Sequence, residues 1–324
     1  MNMETEVNIS GISENLAESI VEQNELIGKQ QTKSVLQGKR IAISVSESEE
    51  LEQLGLSDNH LKDISIEIAR YLIVNGAKMI YGGDLRFGGF TELFSDLSYQ
   101  YKILSDKERR FINYFPFPNS KGITTDIRAV FLKKQVEVKI LEIPKKIGDI
   151  DKEKVFKPLE SVEDRFILSE CFSDMRIRMA NESDARILLG GKQKNYSGYF
   201  PGIVEEAYHS FKAEKPIYLL GGFGGATKSI IDIILGGNSP KLSNDFQFDS
   251  EFLKEFRDFA HAKSVVKLDY DYIVDFFRQH SNESISNQNG LSMEENEVLF
   301  ESTNIHEIVF LILKGLQKIE TKGK

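Results

Sequence analysis

Three short apolar runs in this chain each stop on a glycine pair: KMIYGG at Gly82 and Gly83, ARILLGG at Gly190 and Gly191, and KPIYLLGG at Gly221 and Gly222. A fourth run, RIAISVS from Arg40, is equally apolar and β-branched, which marks strands buried on both faces. Between RIAISVS and KMIY, Leu61, Ile64, Ile68 and Leu72 repeat on one helical face, with Ser57 or Asp58 placed to cap and Asn75-Gly76 to terminate. Strand, helix and strand in that order form a βαβ unit, whose right-handed crossover implies a parallel sheet. The expected fold class is therefore α/β, doubly wound, with a mainly parallel sheet.

The alternation continues. A helix passes through Phe94 and Leu97, and FINYFPFP and VEVKILEIP supply two more strand-like runs, separated by a polar, basic segment from Asn119 to Lys134 expected as a helical or mobile insertion. Helical spacing returns at Asp164 through Phe166, Ile167, Cys171 and Met175, and GIVEEAYHSF adds a helix between the second and third glycine turns. After Asp245 the pattern is mostly helical (EFLKEFRDFAHA, YDYIVDFFRQH, IHEIVFLILKGLQKI), interrupted by SNESISNQNG, expected as a polar loop. Before Arg40, Ile12, Leu16, Ile20 and Ile27 fall near helical spacing. Three parts are expected: an N-terminal polar, helical arm over 1–38, a core domain over 39–240, and a C-terminal helical cap over 241–324 packed on it.

Several function classes fit poorly. The net charge is 41 − 50 = −9 with no long basic run, so a broad electrostatic footprint for nucleic acid is missing. Cys171 is the sole cysteine, which forbids an intrachain disulfide and a cysteine zinc cluster. His60, His209, His261, His280 and His306 show no paired-ligand spacing, so no metal is expected. No GxSxG elbow and no Walker A loop occurs, and GGFGGATK has a lysine at the wrong spacing for one. No apolar stretch approaches membrane-spanning length and the first residues lack a signal-peptide pattern, so the cytoplasm is the expected location, without a membrane partner.

In a doubly wound sheet the three glycine turns emerge together at the carboxyl edge. Helix starts there present free N–H groups and a positive dipole end, and glycine lets an anion approach the backbone. The turns are therefore candidate phosphate cradles. The first comprises Gly82, Gly83, Asp84, Arg86, Gly88, Gly89 and Thr91, the second Gly190, Gly191 and Gly202, and the third Gly221, Gly222, Gly224 and Gly225. Arg86 would neutralise phosphate, while Asp84 would hold a ribose hydroxyl or cap the following helix.

The order of RIAISVSES, MIYGGDLRFGGFTE, MRIRMANESDARILLGG and GIVEE resembles the SLOG superfamily over roughly Arg40 to Gly237. That Rossmann-like group includes the lonely-guy phosphoribohydrolases, the DNA-processing protein A fold and ligand-sensing domains of bacterial antiviral systems. In the hydrolases the second turn reads PGGxGTxxE. Here KQKNYSGYFP separates Gly190-Gly191 from Gly202, isoleucine replaces the threonine, and Glu206 takes the place of the catalytic glutamate. The hydrolase Arg-Lys pair is occupied by Met175 and Arg176. Loss of the threonine and the arginine favours the ligand-sensing branch.

The resemblance implies a cytoplasmic sensor that binds a phosphorylated nucleotide such as an ADP-ribose or NAD derivative, in bacterial antiviral defence. Arg86 and Arg176 would bind phosphates, with Asp84 or Glu206 on a ribose hydroxyl. No cofactor is required, a homo-oligomer is expected, and a sensor of this kind implies a separate effector protein. The alternative is a nucleotide N-glycosidase acting through Glu206, with Asp84 or Glu205 as partner carboxylate. A purely structural subunit is disfavoured by the glycine density at three strand ends.

Overall fold

The computed structural model describes residues 34–101, 108–263 and 267–319. The helix expected through Ile12 and Ile27 lies outside them. Residues 34–38 form a turn that buries Leu36 and binds the end of the first helix, through Leu36 N to Asn75 O at 3.0 Å and Gly38 N to Gly76 O at 3.2 Å.

The described strands are β1 (Arg40–Ser46), β2 (Lys78–Gly82), β3 (Phe111–Phe115), β4 (Val136–Ile140), β5 (Ala185–Gly190) and β6 (Ile217–Leu220). They form one parallel sheet in the order β4-β3-β2-β1-β5-β6. Period-two alternation sends Ile41, Ile43, Val45, Met79, Tyr81, Ile187 and Leu189 to one face. Ala42, Ile80 and Ile112 go to the other.

The first face is covered by the crossover helices α1 (Asp58–Val74), α2 (Phe90–Gln100) and α3 (Thr125–Lys133). In α1 the apolar spacing meets the sheet as expected, with Leu61, Ile64, Ile68 and Leu72 all buried. Each such side chain removed from water contributes roughly 1.5–3 kcal/mol. His60 Nδ1 accepts the Ser57 N–H at 3.0 Å at the start of α1, and Asn75 closes its end. The segment Asn119–Lys134, expected as a helical or mobile insertion, is helical but is the β3-to-β4 crossover and not an insertion: a 3-10 turn over Asn119–Gly122 leads into α3, which buries Phe131 in the core.

The second face carries α4 (Val162–Glu182), α5 (Gly202–Lys212) and α6 (Gly225–Ile234). The sheet thus winds away from β1 in two directions with helices on opposite sides, the Rossmann-like arrangement.

The remaining helices are α7 (Asn244–Gln247), α8 (Glu251–Ala262), α9 (Tyr270–Arg278), α10 (Asn282–Asn289), α11 (Met293–Glu301) and α12 (Ile305–Lys318). Phe256 of α8 and Ile273 and Phe277 of α9 join the core on the α5 and α6 side, whereas Leu299, Ile308 and Ile312 return to the α1 side. SNESISNQNG, expected as a loop, is largely α10, capped by Ser281 and closed by left-handed Gly290. Its pattern lacks an apolar stripe because amide hydrogen bonds anchor it. Asn289 Nδ2 donates to Ile217 O at 3.0 Å and to Asn296 Oδ1 at 2.8 Å, and the buried Tyr218 hydroxyl donates to Asn289 O at 2.8 Å. No described helix is long and apolar enough to cross a membrane.

The turn after β6 explains two glycines by packing. A methyl group on Gly221 would collide with Phe300 O, and one on Gly222 would lie 2.4 Å from Ser302 O. Gly221→Ala should therefore cost about 1–3 kcal/mol in urea unfolding, as overpacking of a tight contact does. Unchanged stability would contradict the close seating of the α11 end on this turn.

Candidate functional site

β1 and β5 are neighbours from which the chain departs in opposite directions, so the switch point of the sheet lies at their carboxyl ends. Gly190 has φ +64° there and approaches Ser46 so closely that an added Cβ would lie 2.5 Å from its carbonyl oxygen. Ser46 O accepts Gly191 N at 2.9 Å, Ser46 Oγ accepts Lys192 N at 3.2 Å, and the Lys192 ammonium pairs with Glu47 at 2.9 Å. These contacts join the loops over the β1 to β5 seam. Glu47 also lies 3.8 Å from Arg86 of the turn after β2, and in an open parallel sheet the crevice outside the strand ends falls at this switch point, between that turn and the start of α5.

The turn after β2 holds its charges against each other. Arg86 donates to Asp84 Oδ2 through Nε at 3.0 Å and NH2 at 2.6 Å, with Glu47 at 3.8 Å, and these carboxylates raise the Arg86 pKa. Asp84 N donates to Thr91 Oγ1 at 3.2 Å, and Gly88 N donates to Glu92 Oε2 at 2.7 Å. Gly82 lies against Met175 and Met179, Gly83 lies over the buried Asn113 side chain, and Gly89 faces Asp84. Phe87, between Arg86 and Gly88, is 98% exposed. Burial raises the Tyr81 pKa, and the Asp84 and then Glu206 carboxylates add to the rise.

Across the crevice, neighbouring glutamates face two arginines. Arg176 of α4 meets Glu205 at 2.5 Å, both side chains being buried. Ser173 also donates to Glu205, and His209 Nε2 lies 3.6 Å from it. Burial would raise the Glu205 pKa, but Arg176 with His209 and Ser173 outweighs it and holds the carboxyl below its ordinary range. Glu206 instead accepts from Arg186 at 3.3 Å. Arg186, fully buried on β5, also donates to Ser210 Oγ at 2.6 Å and Ser44 Oγ at 2.7 Å. Burial lowers its pKa, with Glu206 opposing.

Arg186 went unremarked in the sequence because ARILLGG reads as an apolar strand. An arginine inside such a run is the signal that could have found it, since a buried charge requires a partner.

The first turn of α5 has no side-chain cap. Its N-cap is Pro201, which has no side-chain acceptor, and the amides of Gly202, Ile203 and Val204 have no acceptor among the described residues. Gly202 lies against Arg176, 3.2 Å from NH2 to where a Cβ would sit. The start of α6 is closed by contrast. Glu50 accepts Gly225 N at 2.8 Å and pairs with Lys241, while Gly224 packs on the same side chain. Burial would raise the Glu50 pKa, but Lys241 and the Gly225 amide hold it down. Cys171 is buried, and burial pushes its thiol up to about 12, far from a nucleophile's range.

Because the folded-state pKa of Glu205 is depressed, its stabilising contribution is full above the ordinary glutamate value and drains away as pH falls through the depressed one. Glu205→Gln would strand buried Arg176, so it should cost about 3 kcal/mol at pH 7. In urea unfolding from pH 7 to pH 3, that deficit should shrink below about pH 4.3. A deficit independent of pH would refute the ion pair.

The family profile described as SLOG cluster2 matches residues 35–299. No curated protein and no solved structure matches the chain. The matched span contains the whole sheet and both sides of the crevice, and it fits a nucleotide-related, Rossmann-like protein. The chain belongs to the SLOG cluster2 family.

Proposed function

We propose that this protein binds a phosphorylated nucleotide in the crevice between the turn after β2 and the start of α5, and acts as a sensor of it. The observation that carries this reading is a surplus of donors. The α5 amides of Gly202 to Val204 have no acceptor among the described residues, and neither does Nε of Arg176, which packs beside Gly202. Phosphate and ribose oxygens are acceptors of the required kind, and a helix start attracts the charge. Gly82, Gly83, Asp84, Arg86, Gly88, Gly89 and Thr91 would supply one wall, with Arg176, Gly190, Gly191, Gly202 and Glu206 opposite. Gly221, Gly222, Gly224 and Gly225 have less claim, because protein atoms already fill the space beside them.

The resemblance to ligand-sensing SLOG proteins supports an ADP-ribose or NAD derivative as ligand, and antiviral defence as the setting. In that setting the sensor would work in the cytoplasm as a homo-oligomer with a separate effector. The residues support sensing over turnover, since Met175 stands where the hydrolases have arginine and Glu206 is engaged by Arg186. One observation keeps N-glycosidic hydrolysis as the second reading: Glu206 lies one helical turn after Gly202 and is partly exposed.

Incubation with NAD, ADP-ribose, cyclic ADP-ribose and AMP separates the two. A sensor should gain about 2.7 kcal/mol of stability at a ligand concentration 100-fold above Kd and return the ligand intact. Release of free base would instead establish the hydrolase. Arg86→Ala, at an exposed position, should weaken binding about tenfold. Absence of both stabilisation and turnover across the panel would refute the nucleotide crevice.

A further inference from the structure

The insertion KQKNYSGYFP, which separates Gly191 from Gly202, helps enclose a second cavity of about 210 Å³, with Arg165 of α4 and the start of α8. Arg165 is 4% exposed and has no carboxylate partner among the described residues. Its NH2 donates to Tyr196 O at 3.1 Å, and its guanidinium lies 4.8 Å from the Phe256 ring centre and 5.7 Å from that of Tyr196. Its Nε is buried and has no acceptor. Burial accordingly lowers the Arg165 pKa, opposed by the nearby tyrosines Tyr196 and Tyr270. The buried Arg176 and Arg186 each have a glutamate, so this unmatched charge beside a cavity is an exception to them.

Two further features supply positive potential. Ser250 caps α8, accepting Leu253 N at 3.3 Å, while the amides of Glu251 and Phe252 have no acceptor among the described residues. This twelve-residue helix therefore directs its N-terminal turn at the cavity that Ser250, Phe252 and Leu253 line. Lys194 and Asp249 also line it, paired with each other at 2.7 Å while the same ammonium donates to Phe246 O, which leaves Arg165 as the unmatched cation. Gln247 fastens the insertion in place, donating to Gln193 O at 2.8 Å and Lys241 O at 2.6 Å.

We infer that this cavity is a second anion site, separate from the crevice, which takes the phosphate group of a small organophosphate between Arg165 and the first turn of α8. A guanidinium and a helix start together supply the charge and the N–H donors that a phosphate group accepts. Without such an anion the Arg165 charge is desolvated and unpaired, the costliest state for a buried ion.

Inorganic phosphate is the probe. Calorimetric titration of the full chain should give saturable binding that acetate does not reproduce. Arg165→Gln should raise the phosphate Kd about tenfold or more. Lys194→Glu, on a partly exposed side chain, should weaken binding in the same direction and covers the case in which Arg165→Gln fails to fold. Arg86→Ala in the crevice should leave the phosphate Kd unchanged. The assignment is overturned if phosphate fails to saturate, if acetate binds as tightly, if Arg86→Ala abolishes binding, or if a folded Arg165→Gln or Lys194→Glu chain binds as the parent does.

Discussion

A fully buried guanidinium, that of Arg186, fixes how the two halves of the sheet meet. It sits near the start of β5, inside the sheet, where a charge without partners would cost several kcal/mol. Its partners come from Ser44 on β1 and from Ser210 and Glu206 on α5. Satisfying one ion therefore sets the position of α5 against β1 and β5 together. The α5 start, the Glu205 pair with Arg176, and the wall of the crevice follow from that placement.

Much of the architecture was readable from local pattern. RIAISVS is β1 to the residue, and the Leu61, Ile64, Ile68 and Leu72 stripe is the buried face of α1. Burial period and terminators are properties of neighbouring residues, so they survive without knowledge of the fold. α10 was misread as a loop because side-chain amides tie it to β6 and α11, and amide pairing leaves no apolar period. The segment from Asn119 to Lys134 was left undecided because α3 buries little beyond Phe131.

The candidate site was legible as three strand-end turns but not as a set of pairs. Glycine turns identify strand ends, yet which of two adjacent glutamates meets Arg176 depends on the rotation of α5, and that depends on Arg186. Glu50 lies just past β1, and nothing local links it to a helix 175 residues away. The insertion likewise looked like an interruption of a hydrolase motif. In the fold it is a packed wall, with Tyr199 buried and donating to Glu170 at 2.5 Å.

The seating of Glu50 on the start of α6 bears on selectivity. A carboxylate tethered by the chain is present at an effective concentration that no dissolved anion matches, and it does not diffuse away. The α6 dipole is thus saturated before any solute arrives, whatever the phosphate level around the protein. Of the two helix starts at this sheet edge, that of α6 carries its counter-ion internally, whereas the α5 amides have no acceptor among the described residues, so the difference between them is set when the chain folds.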